Sequence, residues 1–278
     1  MNPFKVENYP SIGQSVALSL IVIAGMIFLS PVIYLKGIIG TEPTTFLYYL
    51  LSMGISLWII YILWRNRTGQ KSISFKMGAT STIPIILLAT LGIQYSLTLP
   101  ISSLIPMPDS IKEAFNLALG NPRNVFTLTT MVILAPLFEE IIFRGIILNG
   151  LLKRYSPAIA IVVSSLLFAT VHLNPWQFVS AFILGLFIGW VYYKTQSLTF
   201  GIIVHAFNNL VAVLPVILGF WGNDDKVESI NEHFGGHTNY IIIIVLASLT
   251  TVISIILLNK MFKKGNLHKN MGEHPENL

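Results

Sequence analysis

The stretch "PLFEEIIFRG", residues 136–145, decides how this chain is read. It sets Glu139, Glu140 and Arg144 inside an apolar run that extends over 125–152. In a soluble protein those charges would mark a solvated helix face. Here the surroundings point elsewhere. The 278 residues are 54% hydrophobic and 10% charged, against about 25% charged in a soluble domain. Mean hydropathy is +0.72. The chain is expected to be a polytopic membrane protein, with three charges where charge is most expensive.

Working outward, apolar stretches able to span roughly 30 Å of hydrocarbon fall at 12–35, 43–64, 82–105, 125–152, 157–172, 175–193, 198–221 and 238–261. The expected fold class is all-α, a bundle of about eight transmembrane helices. The fourth stretch is long enough to require tilt, and "NPW" (174–176) separates a short fifth from the sixth. Residues 107–119 read as an amphipathic interfacial helix capped by Ser110. The run after "MNPFKVENYPSIGQ" is too long for a cleaved signal and reads as the first membrane helix. With both termini cytoplasmic, twelve basic residues fall inside and four (Lys36, Lys112, Arg123, Lys226) outside, with Arg144 in the membrane. Such a bias sets orientation, so a multi-pass protein of the cell membrane is expected. The whole of 1–278 reads as one integral-membrane domain. Its core for chemistry is 125–221, and a polar tail over 265–278 is expected to lack structure. "GNDDKVE" (222–228) lacks the spacing of a calcium loop and reads as a solvated outer loop. Gly185 and Gly189 are a small-xxx-small pair that lets the sixth helix pack closely.

An ionisable side chain at a membrane helix centre costs about 2.5–3.5 kcal/mol unless it meets a partner or a cavity. Glu140 and Arg144, four apart, share a helix face and can neutralise one another. Glu139 lies about 100° away and has no local cation. A lone carboxyl in such a pocket suits general-base work. The alternative for Glu140 and Arg144 is a purely structural ion pair fixing register. "FATVH" sets Phe168 and His172 one turn apart; His172 can exchange a proton near neutral pH, or merely end a helix. "HAFNN" sets His205 and Asn209 on one face, where two donors could grip one oxygen. Asn208, one step aside, fits interhelical bonding instead.

In chain order these are EExxxR, FxxxH and HxxxN. The ordered set resembles the CAAX prenyl protease and bacteriocin-processing (CPBP, Abi) family of intramembrane proteases, with all three motifs intact within 136–209. The resemblance implies that Glu139 activates a water that His172 helps hold, that the water attacks a peptide carbonyl, and that His205 with Asn209 stabilises the oxyanion. Glu140, Arg144 and Phe168 become supporting residues. Without cysteine, and with no G-x-S-x-G serine, no other nucleophile competes. No cofactor is expected. The alternative is zinc held by Glu139, His172 and His205, although no H-E-x-x-H pair is present.

The leading expectation is a bacterial-type intramembrane endopeptidase acting on a peptide or membrane-protein substrate within the lipid bilayer, with no nucleic-acid partner. The alternative is a non-enzymatic immunity or scaffold protein binding a peptide or partner through the same cavity. A proton-coupled transporter lacks the paired broken helices such folds use. Upright helices would leave Glu139 and His172 deeper than His205, so a short, partly re-entrant fifth helix around a cavity is expected.

Overall fold

Helices account for the regular structure of this computed structural model, which describes residues 8–108, 120–219, 232 and 234–272; no strand occurs among them. The first element, α1 (Ile12–Phe28), opens on a capping box between Ser11 and Gln14. It gives way to a 3-10 turn, Ser30–Leu35, and a short helix, Lys36–Ile39. Then come α2 (Thr41–Thr68), α3 (Thr80–Ser103), α4 (125–152), α5 (Pro157–Thr170), α6 (Pro175–Thr195), α7 (Leu198–Ile217) and α8 (His237–Gly272). Six helices among the described residues are long and apolar enough to cross a membrane: Ile12–Ile39, Thr41–Thr68, Thr80–Ser103, Pro175–Thr195, Leu198–Ile217 and His237–Lys264. The chain is a polytopic all-α membrane bundle.

The two remaining stretches depart from plain membrane helices in ways that matter for the site. α4 alternates α and π turns: Val125–Thr129, π over Thr130–Leu134, Ala135–Glu140, π over Ile141–Leu148, then Asn149–Leu152. α5 has 14 residues, about 21 Å at 1.5 Å per residue, short of a full crossing. It ends in a turn in which Leu173 takes φ 53°, a region costly for a residue with a β-carbon. The Asn174 carboxamide oxygen then accepts from the backbone N–H groups of Trp176 and Gln177 and starts α6.

α4 runs through the centre. Ile142, Phe143, Arg144, Ile146, Ile147, Leu148 and Leu151 are all fully buried. One apolar cluster joins α4 to α1, α2, α5 and α6; a second joins α3, α6, α7 and α8. The small-residue pair acts as expected. A β-carbon on Gly185 would lie 3.0 Å from the Ser165 side chain, and one on Gly189 3.0 Å from Ile161, so α5 and α6 meet closely. Between Ile241 and Leu257 the exposed side chains of α8, among them Leu246 and Leu249, are apolar, as a lipid-facing surface requires.

One expectation is revised and two fall outside the described residues. The polar tail was expected to lack structure from 265, yet α8 continues to Gly272. Its backbone bonds propagate past the apolar span because each added turn needs no new nucleus. The interfacial helix with Ser110 and the loop 222–228 lie outside the described residues, as do 273–278.

Candidate active site

The site is built on the middle of α4, and its first peculiarity follows from a proline. In the π turn Thr130–Leu134, the Ala135 N–H donates to the Thr130 carbonyl. In that register the Met131 carbonyl would next accept from residue 136, but Pro136 has no N–H. A buried carbonyl without a donor costs roughly 1–3 kcal/mol. Asn209 on α7 supplies the donor: its Nδ2 lies 2.8 Å from the Met131 oxygen. In the second π segment the Ser164 hydroxyl on α5 donates to the Phe143 carbonyl at 3.0 Å. Irregular turns on either side of Glu139 and Glu140 thus lock α4 to α7 and to α5.

Glu140 is wholly buried, and its Oε1 is shared. Arg144 Nη1 donates to it at 3.1 Å and His205 Nδ1 at 2.9 Å. Since a carboxylate only accepts, Nδ1 of His205 carries the hydrogen. Arg144, also wholly buried, donates Nη2 to the Gly185 carbonyl at 3.2 Å and stacks its guanidinium 4.5 Å over the Phe168 ring. Phe168 turns edges to His172, His205 and Phe143, with centroids 5.2, 5.6 and 5.3 Å apart. Room for α7 beside Glu140 comes from Gly201, where a β-carbon would lie 3.1 Å from Glu140 Oε2.

Glu139 faces the other way. Its Oε1 accepts from the Tyr49 hydroxyl at 2.7 Å. Its Oε2 has no hydrogen-bond partner, and the nearest cation-forming group is His205 Nε2 at 3.8 Å, beyond hydrogen-bond range. His172 sits in the turn after α5 with Nδ1 2.9 Å from the Phe168 carbonyl. A carbonyl accepts, so that nitrogen is the donor and a neutral His172 keeps its lone pair on Nε2.

These groups border one cavity of about 490 Å³. Glu139, His172, His205 and Asn209 all line it, as does Phe168; Glu140 and Arg144 do not. The four residues read from sequence as catalytic are therefore brought together, and the ion pair lies behind them. Asn208 also lines the cavity, but its amide donates only to neighbouring Asn209 Oδ1 at 3.5 Å, not to another helix. Glu139, His172 and His205 are not gathered as a ligand set: no three His, Asp or Glu residues are so grouped among the described residues.

Tyr49 was not anticipated. It comes from α2, which carries none of the three motifs, yet a signal was present. Glu42, Thr45 and Tyr49 recur at helical spacing on a largely apolar helix and all line the cavity. The Met131 carbonyl and Gly201 were missed as well. Pro136, three residues before Glu139, was the available clue.

Residues 121–211 match the family described as "Rce1-like: Type II CAAX prenyl endopeptidase Rce1-like". The matched segment contains all of the site except Tyr49 and the other α1 and α2 residues on the cavity wall. No curated protein and no solved structure matches the chain.

Proposed function

From the match of residues 121–211 to that family, we propose that the chain is an intramembrane endopeptidase of the CAAX protease (CPBP) type in which Glu139 is the general base. The observation that carries the assignment is the asymmetry of Glu139. Tyr49 holds one oxygen of Glu139, the other has no hydrogen-bond partner, and Glu139, unlike Glu140, lines a cavity large enough for a peptide segment.

In this reading a water beside Glu139 Oε2 gives up a proton to the carboxylate as its oxygen bonds to the scissile carbonyl carbon. His172, with Nδ1–H committed to the Phe168 carbonyl, offers its Nε2 lone pair to the same water. General-base assistance of this kind supplies about 10²–10⁴-fold. The carbonyl oxygen becomes an oxyanion beside His205 and Asn209. One Asn209 N–H is spent on Met131, and the second is free to donate. His205 donates from Nε2 only as the imidazolium, with both nitrogens protonated. Glu140 accepts from Nδ1 and fixes the orientation of the ring. Collapse of the tetrahedral species breaks the C–N bond, and the proton held by Glu139 passes to the leaving amine. Glu140 and Arg144 hold His205 and take no proton. No step requires a metal.

We further propose an orientation with both termini in the cytoplasm of a bacterial-type cell membrane, from the concentration of basic residues at one end of the bundle. The test compares peptide N- and C-termini in membranes of cells expressing the wild type or Glu139→Gln at matched levels. Termini that disappear in the variant are the expected result. Identical termini with the phenotype preserved would move the assignment to the immunity or scaffold role.

A further inference from the structure

The cavity occupies one end of the bundle and the positive charge the other. α2 contributes Glu42, Thr45 and Tyr49 to the cavity from its first half, and carries Arg65 and Arg67 in its last turn. α4 contributes Thr127 and Thr130 at its start, and Lys153 and Arg154 follow its end. α6 contributes Gln177 and Ser180 early and carries Lys194 in its last turn. Contacts fix the remaining charges at that same end. The Ser197 hydroxyl, just before α7, donates to the Lys76 carbonyl at 2.8 Å, and Tyr61 of α2 donates to the Lys71 carbonyl at 2.6 Å. Phe262 of α8 packs on Trp190 of α6, which places Lys260, Lys263 and Lys264 there too.

At the cavity end the described basic residues are Lys36 and Arg123. Arg123 is committed to the end of α7, donating to the carbonyls of Val216 and Ile217 at 2.9 and 3.3 Å. A bias of this size in short loops sets which end stays in the cytoplasm. The cavity also has a floor and a mouth. Glu139 and His205 at its base are 8% and 4% exposed, whereas Glu42, Thr45, Asn174 and Gln177, at the beginnings of α2 and α6, are only half-buried. The mouth therefore lies at the end away from the cytoplasm.

We propose that this site takes its substrate from the extracytoplasmic face. The substrate class is a peptide segment already delivered across the membrane, either an exported chain or the outer end of a membrane-anchored peptide, and not a cytoplasmic tail. The inference rests on the proteolytic reading of the same site. The wall matches such a segment: Val22, Met26, Met53 and Leu184 offer apolar contact to a chain entering from water.

The chain has no cysteine, so single-cysteine labelling of the full-length protein in cells needs no background removal. Thr45→Cys marks the mouth, exposed Thr41→Cys the same end outside the cavity, and Ser72→Cys the basic end. A membrane-impermeant maleimide on intact cells should label Thr41→Cys and Thr45→Cys and leave Ser72→Cys unlabelled until the cells are permeabilised. Labelling of Ser72→Cys in intact cells, with Thr41→Cys protected, overturns the proposal. So does a Thr45→Cys that reacts only after permeabilisation while Thr41→Cys reacts from outside. Alkylating Thr45→Cys from outside should also abolish the Glu139-dependent peptide termini, and termini that persist at full yield count against access from that face. Labelling reports orientation whether or not the chain cuts peptides. If no termini depend on Glu139 while the labelling pattern holds, the proteolytic reading fails and the orientation stands.

Discussion

The two halves of α4 lie in different solvents of the protein's own making. From Ile142 to Leu151 nearly every side chain is wholly buried, packed against α1, α2, α5 and α6. From Thr127 to Glu139 the same helix borders a cavity of about 490 Å³. Glu139 and Glu140 stand on either side of the change. Glu140, on the packed side, is crowded by Arg144, His205 and Gly201. Each carboxylate keeps one oxygen without a hydrogen-bond partner, but Glu139, on the hollow side, has a single hydrogen bond, to Tyr49, and lines the cavity. Adjacent carboxylates of identical chemistry are thus divided into one that holds structure and one free to react.

The largest expected effect breaks the hollow side. Glu139→Gln should lower turnover by about 10²–10⁴-fold while leaving the melting temperature of the detergent-solubilised protein near wild type, because Tyr49 can still donate to the amide oxygen. Next comes the packed side. Arg144→Met should destabilise the fold by about 3–5 kcal/mol, the usual result of stranding one member of a buried pair, read as a fall in melting temperature and in membrane yield. Tyr49→Phe sharpens the boundary. It removes one bond to a charged group, worth about 1.5–3 kcal/mol, so melting should fall modestly, while turnover should fall by about tenfold as Glu139 loses its only hydrogen bond. Gly201→Ala presses a methyl toward Glu140 Oε2 and should cost about 1–3 kcal/mol of stability. The smallest effect is expected from Ser164→Ala, which removes one neutral hydrogen bond to the Phe143 carbonyl, worth about 0.5–1.5 kcal/mol, again seen only in melting.

Much of the packed side was legible from the sequence because its key contact is local: Glu140 and Arg144 are four residues apart, and one helical turn joins them. Six of the eight expected spans were legible from apolar runs, and the short α5 from "NPW". The depth mismatch among the motifs is resolved by that shortness, which ends α5 inside the bundle and lets His172 line the same cavity as Glu139. What was not legible joins distant segments. His205 reaches Glu140 across 65 residues and Tyr49 reaches Glu139 across 90. No periodicity encodes such pairings, although the polar stripe of Glu42, Thr45 and Tyr49 marked the helix face involved. The π turns were illegible for another reason. Pro136 announces a missing donor, but the response, a wider turn with Asn209 filling the gap, depends on where α7 packs.

The most direct test of the division between the two carboxylates is a matched pair of variants, Glu139→Gln and Glu140→Gln, each measured for melting temperature and for the yield of membrane peptide termini. The account predicts that Glu139→Gln melts like the wild type and produces no termini, whereas Glu140→Gln melts lower. A Glu139→Gln protein that produces the same termini as the wild type would contradict it.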